Sequence, residues 1–316
     1  NMIVNYPLMI AHANLATLNE VTSPFTHTIR EQSVLSSMTW NLRLRDTDGT
    51  VANDFIRKFV GGITNKMSIS AEEGNMLKCS WDEVQFFDMV HNQTRHQDIT
   101  GDAANTALIQ KSSLALIAPG NGTTEAIGGS MPQTGGALGN ATFPTNEPYY
   151  FSQGDISFNG TTFARVRNFT INVNNNIEPK YYLHAGSTIR GPSEIFETQR
   201  QYTMSATVAM PDSIAANANT RTLFKELILE GNYAGFGATP SLAGFEIALT
   251  FTRGTNDTIV IDIPDSGTAS AGLDLQGAFF VRAPHSIGTD SPVQVDGEIL
   301  FRSMRTVITD SESVYP

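Results

Sequence analysis

Three short stretches of this sequence bring together residue types able to hold an ion or move a proton. Asp46, Asp48 and Gly49 in RDTDGT resemble the start of a calcium-binding loop, in which carboxylates share the charge of a hard cation. Thr50 stands where the third acidic ligand is needed and the closing Glu is absent, so the stretch reads as a solvated turn. His91 and His96 in HNQTRHQD, with Asp98, offer imidazoles and a carboxylate to a metal, but the spacing matches no compact zinc pattern. They read as surface histidines. Residues 120–140, GNGTTEAIGGSMPQTGGALGN, have the glycines of a phosphate cradle without the Lys-Ser/Thr that would follow, and read as a flexible loop. Ser, His and Asp all occur, yet no Gly-x-Ser-x-Gly elbow presents a nucleophile. The expectation is no catalytic, cofactor-binding or metal site, and no enzyme.

Cys79 is the sole cysteine, so no internal disulfide framework is possible and folding needs no oxidising compartment. Within the alternating run Leu77, Cys79, Trp81 it is expected as a small buried hydrophobe. The formal net charge of -11 argues against a protein that grips nucleic acid, because phosphate binding needs clustered Lys and Arg, and here they are scattered. Like charge on a channel wall would keep a passing polyanion from adhering; the same charge also serves plain solubility. No apolar stretch is long enough to span a bilayer, and no signal segment opens the chain. The first residue is Asn1 rather than Met, from which a missing or removed leading segment is expected.

The elements that would position any site are mostly strands. With 40% hydrophobic and only 16% charged residues, and many Gly, Asn and Thr, the composition suits a β-rich protein with a polar but uncharged surface. Strands are expected at 25–29 and at 37–45, where Met38, Trp40, Leu42 and Leu44 share a face before a turn at 46–49. Residues 53–60 read as a short helix or a strand, ended either way by Gly61 and Gly62. Met67, Ile69 and Ala71 alternate with Ser68, Ser70 and Glu72 before a turn at Glu73, Gly74 and Asn75. Residues 101–147, rich in Gly, Ala, Asn and Thr, read as an insertion or linker, with a short helix at 108–117.

Further on, strands at 156–158 and 161–166 flank Asn159-Gly160, a strong hairpin signal. Phe169, Ile171 and Val173 point one way and Thr170, Asn172 and Asn174 the other, until Asn174, Asn175 and Asn176 end the strand. A loop at 186–198 precedes a strand at 202–210 with Met204, Ala206 and Val208 on one face. Residues 219–230 place Leu223, Phe224, Leu227 and Ile228 at helical spacing, with Gly231 as a stop. Phe245, Ile247, Leu249 and Phe251 alternate into a turn at 253–257, Ile259, Ile261 and Ile263 lead out, and a last strand is expected at 298–304.

A strand, a polar turn and a second strand thus occur twice, at 66–82 and at 162–183. From this echo two tandem β domains are expected, at 1–100 and 148–316, joined by 101–147. The second copy and its surroundings read PYYFSQGDISFNGTTFARVRNF (148–169), NVNNNIEP (172–179) and IRGPSEIFETQRQYTMSATVAM (189–210). They resemble the tail tube proteins of long-tailed (siphovirus-like) bacteriophages, in which a strand ending in asparagines is followed by a loop with Arg, Pro, Ser, Glu and Ile and then an alternating strand. The counterparts here are residues 169–178, then Arg190, Pro192, Ser193, Glu194 and Ile195, then 202–208. The resemblance spans 148–230, is looser over 25–90, and fades over 101–146 and at the N-terminus.

The resemblance implies a mainly β fold: two tandem tail-tube-like β-sandwich or barrel domains, each with a packed helix or loop, forming rings through sheet-edge pairing. Such rings commonly have six domains around and stack into a tube that conducts the viral genome into the host. Two domains per chain would give trimeric pseudo-sixfold rings, one would give hexameric rings. By analogy, Arg190, Glu194, Glu197 and Arg200 in the long loop are candidate inter-subunit ion-pair partners, and Ser68, Ser70, Thr170 and Asn172 are candidate lumen-facing residues. The implied partners are the chain itself, other tail proteins (tape measure, tail tip, terminator) and double-stranded DNA passing without sticking, with no cofactor and no membrane. The implied location is the virion tail, assembled in the host cytoplasm. A capsid decoration or surface adhesion module is the alternative from composition; a carbohydrate-active β enzyme would need a carboxylate pair that nothing local nominates.

Overall fold

The period-two alternation of the sequence becomes extended backbone almost throughout the computed structural model. It describes residues 10, 16–17, 24–31, 35, 37–44, 55–91, 148–158, 161–162, 166–183, 192–209, 245–263, 277–286 and 294–310. In chain order the strands are β1 (Ala16–Thr17), β2 (Phe25–Arg30), β3 (Met38–Leu44), β4 (Phe55–Glu72), β5 (Lys78–Gln85), β6 (Asp88–His91), β7 (Gly154–Phe158), β8 (Thr161–Thr162) and β9 (Val166–Asn174). They continue as β10 (Ile177–Lys180), β11 (Glu194–Glu197), β12 (Gln201–Ala209), β13 (Ile247–Arg253), β14 (Asp257–Ile263), β15 (Phe279–Arg282), β16 (His285–Ser286), β17 (Gln294–Phe301) and β18 (Arg305–Asp310). A 3₁₀ turn, Phe151–Gln153, precedes β7. The helices expected at 108–117 and 219–230 lie outside the described residues.

Two antiparallel sheets form a sandwich. The first has seven strands in the order β1-β2-β18-β14-β13-β7-β8. The second follows β15-β17-β12-β9-β4-β3, with β16 also on β17 and with β5 and β6 also on β4. Both inner faces are apolar. Met67, Ile69, Ile171, Val173, Met204 and Ile299 of the second sheet are buried, as are Ile247, Leu249, Phe251, Ile259, Ile261 and Ile308 of the first. All belong to one contiguous core, in which Phe169 meets Phe251 with ring centroids 5.9 Å apart. Burying one such side chain contributes about 1.5–3 kcal/mol, so the shared core is the main stabilising term.

This core draws on residues from both sides of 101–147. Met67, Ile69 and Ala71 of β4 lie opposite Val173, Ile171 and Phe169 of β9, and β2 lies along β18. Strands from 1–100 therefore share both sheets with strands from 148–316. The two alternating runs that echo each other in sequence are neighbours in one sheet, since two strands with one apolar and one polar phase can bury their apolar faces on the same opposing sheet.

Gly61 and Gly62 do not end their strand. β4 runs through them for 18 residues, because Gly61 takes a φ of +65° that an L side chain rarely adopts. A Cβ there would also lie 2.7 Å from Phe87 Cδ2. On one side of this point β4 is flanked by β3 and β6, and on the other by β5 and β9. β7 and β8 pair antiparallel, with Phe158 opposite Thr161; the Asn159-Gly160 turn expected between them lies outside the described residues. The last expected strand is shifted to β17, and β18 follows it unforeseen.

Candidate functional site

Because β4, β5, β9, β12 and β17 of the second sheet turn one phase to the core, their other phase builds a continuous outer face. The register lines that face up in rows. One row reads Ser80, Ser68, Asn172, Thr203, Leu300, Phe279; the next reads Lys78, Ser70, Thr170, Ser205, Glu298, Arg282. A third reads Glu72, Asn168, Thr207, Asp296. The four residues expected on one polar face, Ser68, Ser70, Thr170 and Asn172, are thus adjacent at the centre of the sheet. None is buried. Around them, among the described residues, the acids Glu72, Asp82, Glu83, Asp296 and Glu298 are set against Lys66, Lys78, Arg167 and Arg282, with Thr207 Oγ1 donating to Asp296 Oδ1 at 2.8 Å. Among the described residues the cations of the face are dispersed among acids rather than gathered into a phosphate-gripping cluster.

Among the described residues the second sheet ends in an edge strand at each side. Among the described residues no strand lies beyond β5 or beyond β15 and β16, leaving rows of edge N–H and C=O groups. Five antiparallel steps separate β5 from β15, so the two edge strands run in opposite directions.

Where β9 ends, the run Asn174–Asn175–Asn176 becomes a latch rather than a simple stop. Asn175 is fully buried; its backbone N–H donates to the Asn65 carbonyl and its Nδ2 to the Thr64 carbonyl, both at 2.8 Å. Asn65 Oδ1 accepts from Ile177 N at 2.9 Å, and Asn65 Nδ2 donates to Glu83 Oε2 at 2.6 Å. Asn176 takes a φ of 48° and donates through Nδ2 to the Gln199 carbonyl at 2.7 Å. Glu83 also accepts from Lys66, and these bonds, Lys66 first and Asn65 second, hold its carboxyl below the usual carboxylate range.

From this latch a two-stranded arm leaves the sandwich, β10 pairing with β11. Part of the expected loop at 186–198 is therefore strand. Ile177 packs with Leu35 and Ile63, and Phe87 and Ile195 close over them. Glu194 is exposed and accepts from the Tyr182 hydroxyl at 3.3 Å. Glu197 and Arg200 pair within the chain: Arg200, its side chain 7% exposed, lies 3.3 Å from Glu197 and 3.5 Å from Glu31, and Glu197 Oε1 also accepts from Leu35 N at 2.8 Å. Arg190 lies outside the described residues. Tyr202, next to this pair, has its hydroxyl pKa pushed up by burial and then by the charge of Glu31. Beyond the arm strands, Tyr181, Tyr182 and Leu183 are exposed, as is Phe196 on β11.

Sequence reasoning missed Asn65, Glu83 and Glu31, whose partners lie over a hundred residues away or on another strand. It also passed over Phe279 and Leu300, although Leu300 stands in the polar phase after Asp296 and Glu298, a local signal that was available. Among the described residues no group of three or more His, Cys, Asp or Glu is placed to hold a metal, and no helix is long and apolar enough to cross a membrane. The expected solvated turn at 46–49, His96, Asp98 and the glycines at 120–140 lie outside the described residues.

A comparison with curated proteins finds no match. A family model described as phage tail tube protein matches residues 88–300, more than half of the chain and every strand from β6 into β17, and the chain belongs to that family, as a structural protein of the virion tail.

Proposed function

We propose that this chain polymerises as rings whose second sheets join edge to edge, β5 of one copy beside β15 and β16 of the next, so that the outer polar face becomes the wall of a channel for the viral genome. The observation that supports this most directly is the outer face itself: rows of Ser, Thr and Asn across the sheet, acids in slight excess, and both edges open. Because β5 and β15 run oppositely, a rotation about an axis along the strands continues the antiparallel alternation from copy to copy. Dispersed polar groups with few cations let a polyanion slide without being held by counterion release. The chain supplies one shared core, so a ring of six domains takes six chains rather than three. Stacked rings then form the tube, with other tail proteins at its ends and through its lumen, assembled in the host cytoplasm.

Electron microscopy of the purified protein at rising concentration, with light scattering for its mass, tests this reading. The expected outcome is hollow tubes growing from a soluble monomer, with sixfold rotational symmetry. Threefold rings would overturn the one-core count. Discrete particles at every concentration would replace the tube with a decoration or adhesion module.

A further inference from the structure

The two edges of the second sheet are out of step with each other, and we propose that neighbouring copies in the ring meet with a stagger of four residues, which sets Arg282 of one copy opposite Asp82 of the next. This rests on the ring reading and specifies the register of its seam. Along the rows of the sheet, β5 runs from Lys78, level with Ser70, to Gln85, level with Ile63. β15 and β16 run from Phe279, level with Leu300 and through it with Ser68, to Ser286, level with Gln294, six rows further on. Level copies would therefore overlap over three rows only. A slide of four residues lays the whole of 279–286 against 78–84. Pro284 does not blunt that edge: its carbonyl accepts from Asp296 N at 3.2 Å, so its ring nitrogen also faces β17 and the open side loses no donor.

The charges select the same slide. Arg282 and Lys78 share the row of Ser70 and Glu298, so level copies would set them directly opposite each other, which is destabilising for like charges. Sliding by four residues carries Arg282 to Asp82, with Glu83 beside it. An even slide also keeps the inner phase inward, and Ala283 then stands opposite Trp81. Each of these two is only partly buried against the core of its own copy, so the seam completes the cover of both. The hand of the sheet agrees. Glu73 N donates to the Arg167 carbonyl and Asn175 N to the Asn65 carbonyl, so the inward-facing residues of β4 turn their peptide groups toward β9. For L-residues this puts β5 at the left and β15 at the right when the sheet is seen from the core with β4 running upward. Right-handed strand twist makes the strands of a closed sheet climb to the right seen from outside. That lean lifts the right-hand neighbour, so that its Asp82 rather than its Lys78 comes level with Arg282. Six strands about 4.8 Å apart and four residues of about 3.4 Å correspond to a lean of roughly 25°. Among the described residues the first sheet differs: six antiparallel steps take β1 to β8, so its edges run the same way and do not continue the alternation.

The test is disulfide formation across the seam in the full-length chain after polymerisation; the native thiol, Cys79, is buried. Directly opposed residues have Cβ atoms about 4.5–5.5 Å apart, near enough to bridge. The double variant Asp82→Cys, Arg282→Cys is expected to give a ladder of linked subunits up to the closed ring, and Lys78→Cys, Arg282→Cys none. The reverse pattern overturns the stagger and leaves the ring reading standing. Tubes that give neither ladder overturn the seam and the stagger with it. Charge exchange is the second measurement, since both side chains are exposed and lie off the core. Asp82→Arg alone should raise the critical concentration for polymerisation about tenfold or more, and adding Arg282→Asp should restore it. A double exchange no better than the single variant overturns the pair. If the unsubstituted protein never polymerises, the ring reading and the stagger fail together.

Discussion

Asn175 and Thr64 are 111 residues apart in sequence, and the amide of one donates to the carbonyl of the other at 2.8 Å with both residues fully buried. That bond pins the end of β9 to the middle of β4 and sets the point from which the arm departs. Removing the donor in Asn175→Ala leaves a buried backbone carbonyl without this amide and is expected to destabilise the monomer by about 1–3 kcal/mol. Urea unfolding of the variant measures it; a midpoint shift with an unchanged slope is the expected form.

Arg200 tests whether the long-loop charges serve folding or assembly. Its guanidinium is nearly buried between Glu197 and Glu31, so Arg200→Ala leaves Glu197 beside an apolar base without its cation. A loss of about 2–3 kcal/mol is expected, somewhat below that of a fully buried pair because Glu31 reaches solvent. The same variant of a pair lying between subunits would leave monomer unfolding unchanged, so thermal or urea unfolding below the polymerisation threshold separates the two.

The Glu83 carboxyl is held below its ordinary range by Lys66 and Asn65. Its folded pKa is lower than its unfolded pKa, so its contribution is present above the unfolded value, 4.5, and is lost as pH falls through the folded one. Carboxyl chemical shifts followed by NMR are expected to place the Glu83 midpoint below 4.5. Glu83→Gln should flatten the acid limb of stability between pH 4.5 and the lower midpoint.

Burial pushes the Cys79 thiol up to about 12, so at pH 7–9 it stays protonated behind the core. An alkylating reagent should leave the folded chain unmodified over that range and label it only on unfolding, the rate following the unfolded population. Rapid labelling of the native protein would contradict the placement of β5 against the first sheet.

The sequence by itself determined the strands and their faces. Phe169, Ile171 and Val173 against Thr170 and Asn172, or Ile259, Ile261 and Ile263 in β14, can be read locally because a strand's period is two and one face must leave water. For the same reason Ser68, Ser70, Thr170 and Asn172 were legible as one polar face, and the asparagine run as a strand end. Only the tertiary structure decided which strands are neighbours. The echo between 66–82 and 162–183 has two solutions, one core each or one core shared, and strand pairing between β4 and β9 has no local signature. Gly61 was misread because a glycine that ends a strand and one that kinks it look alike until Phe87 is seen packed against it. The bonds of Asn175 to Thr64 and of Ile177 to Asn65, and the pairing of Arg200 with Glu31, followed from contacts across a hundred residues or more, which periodicity does not encode.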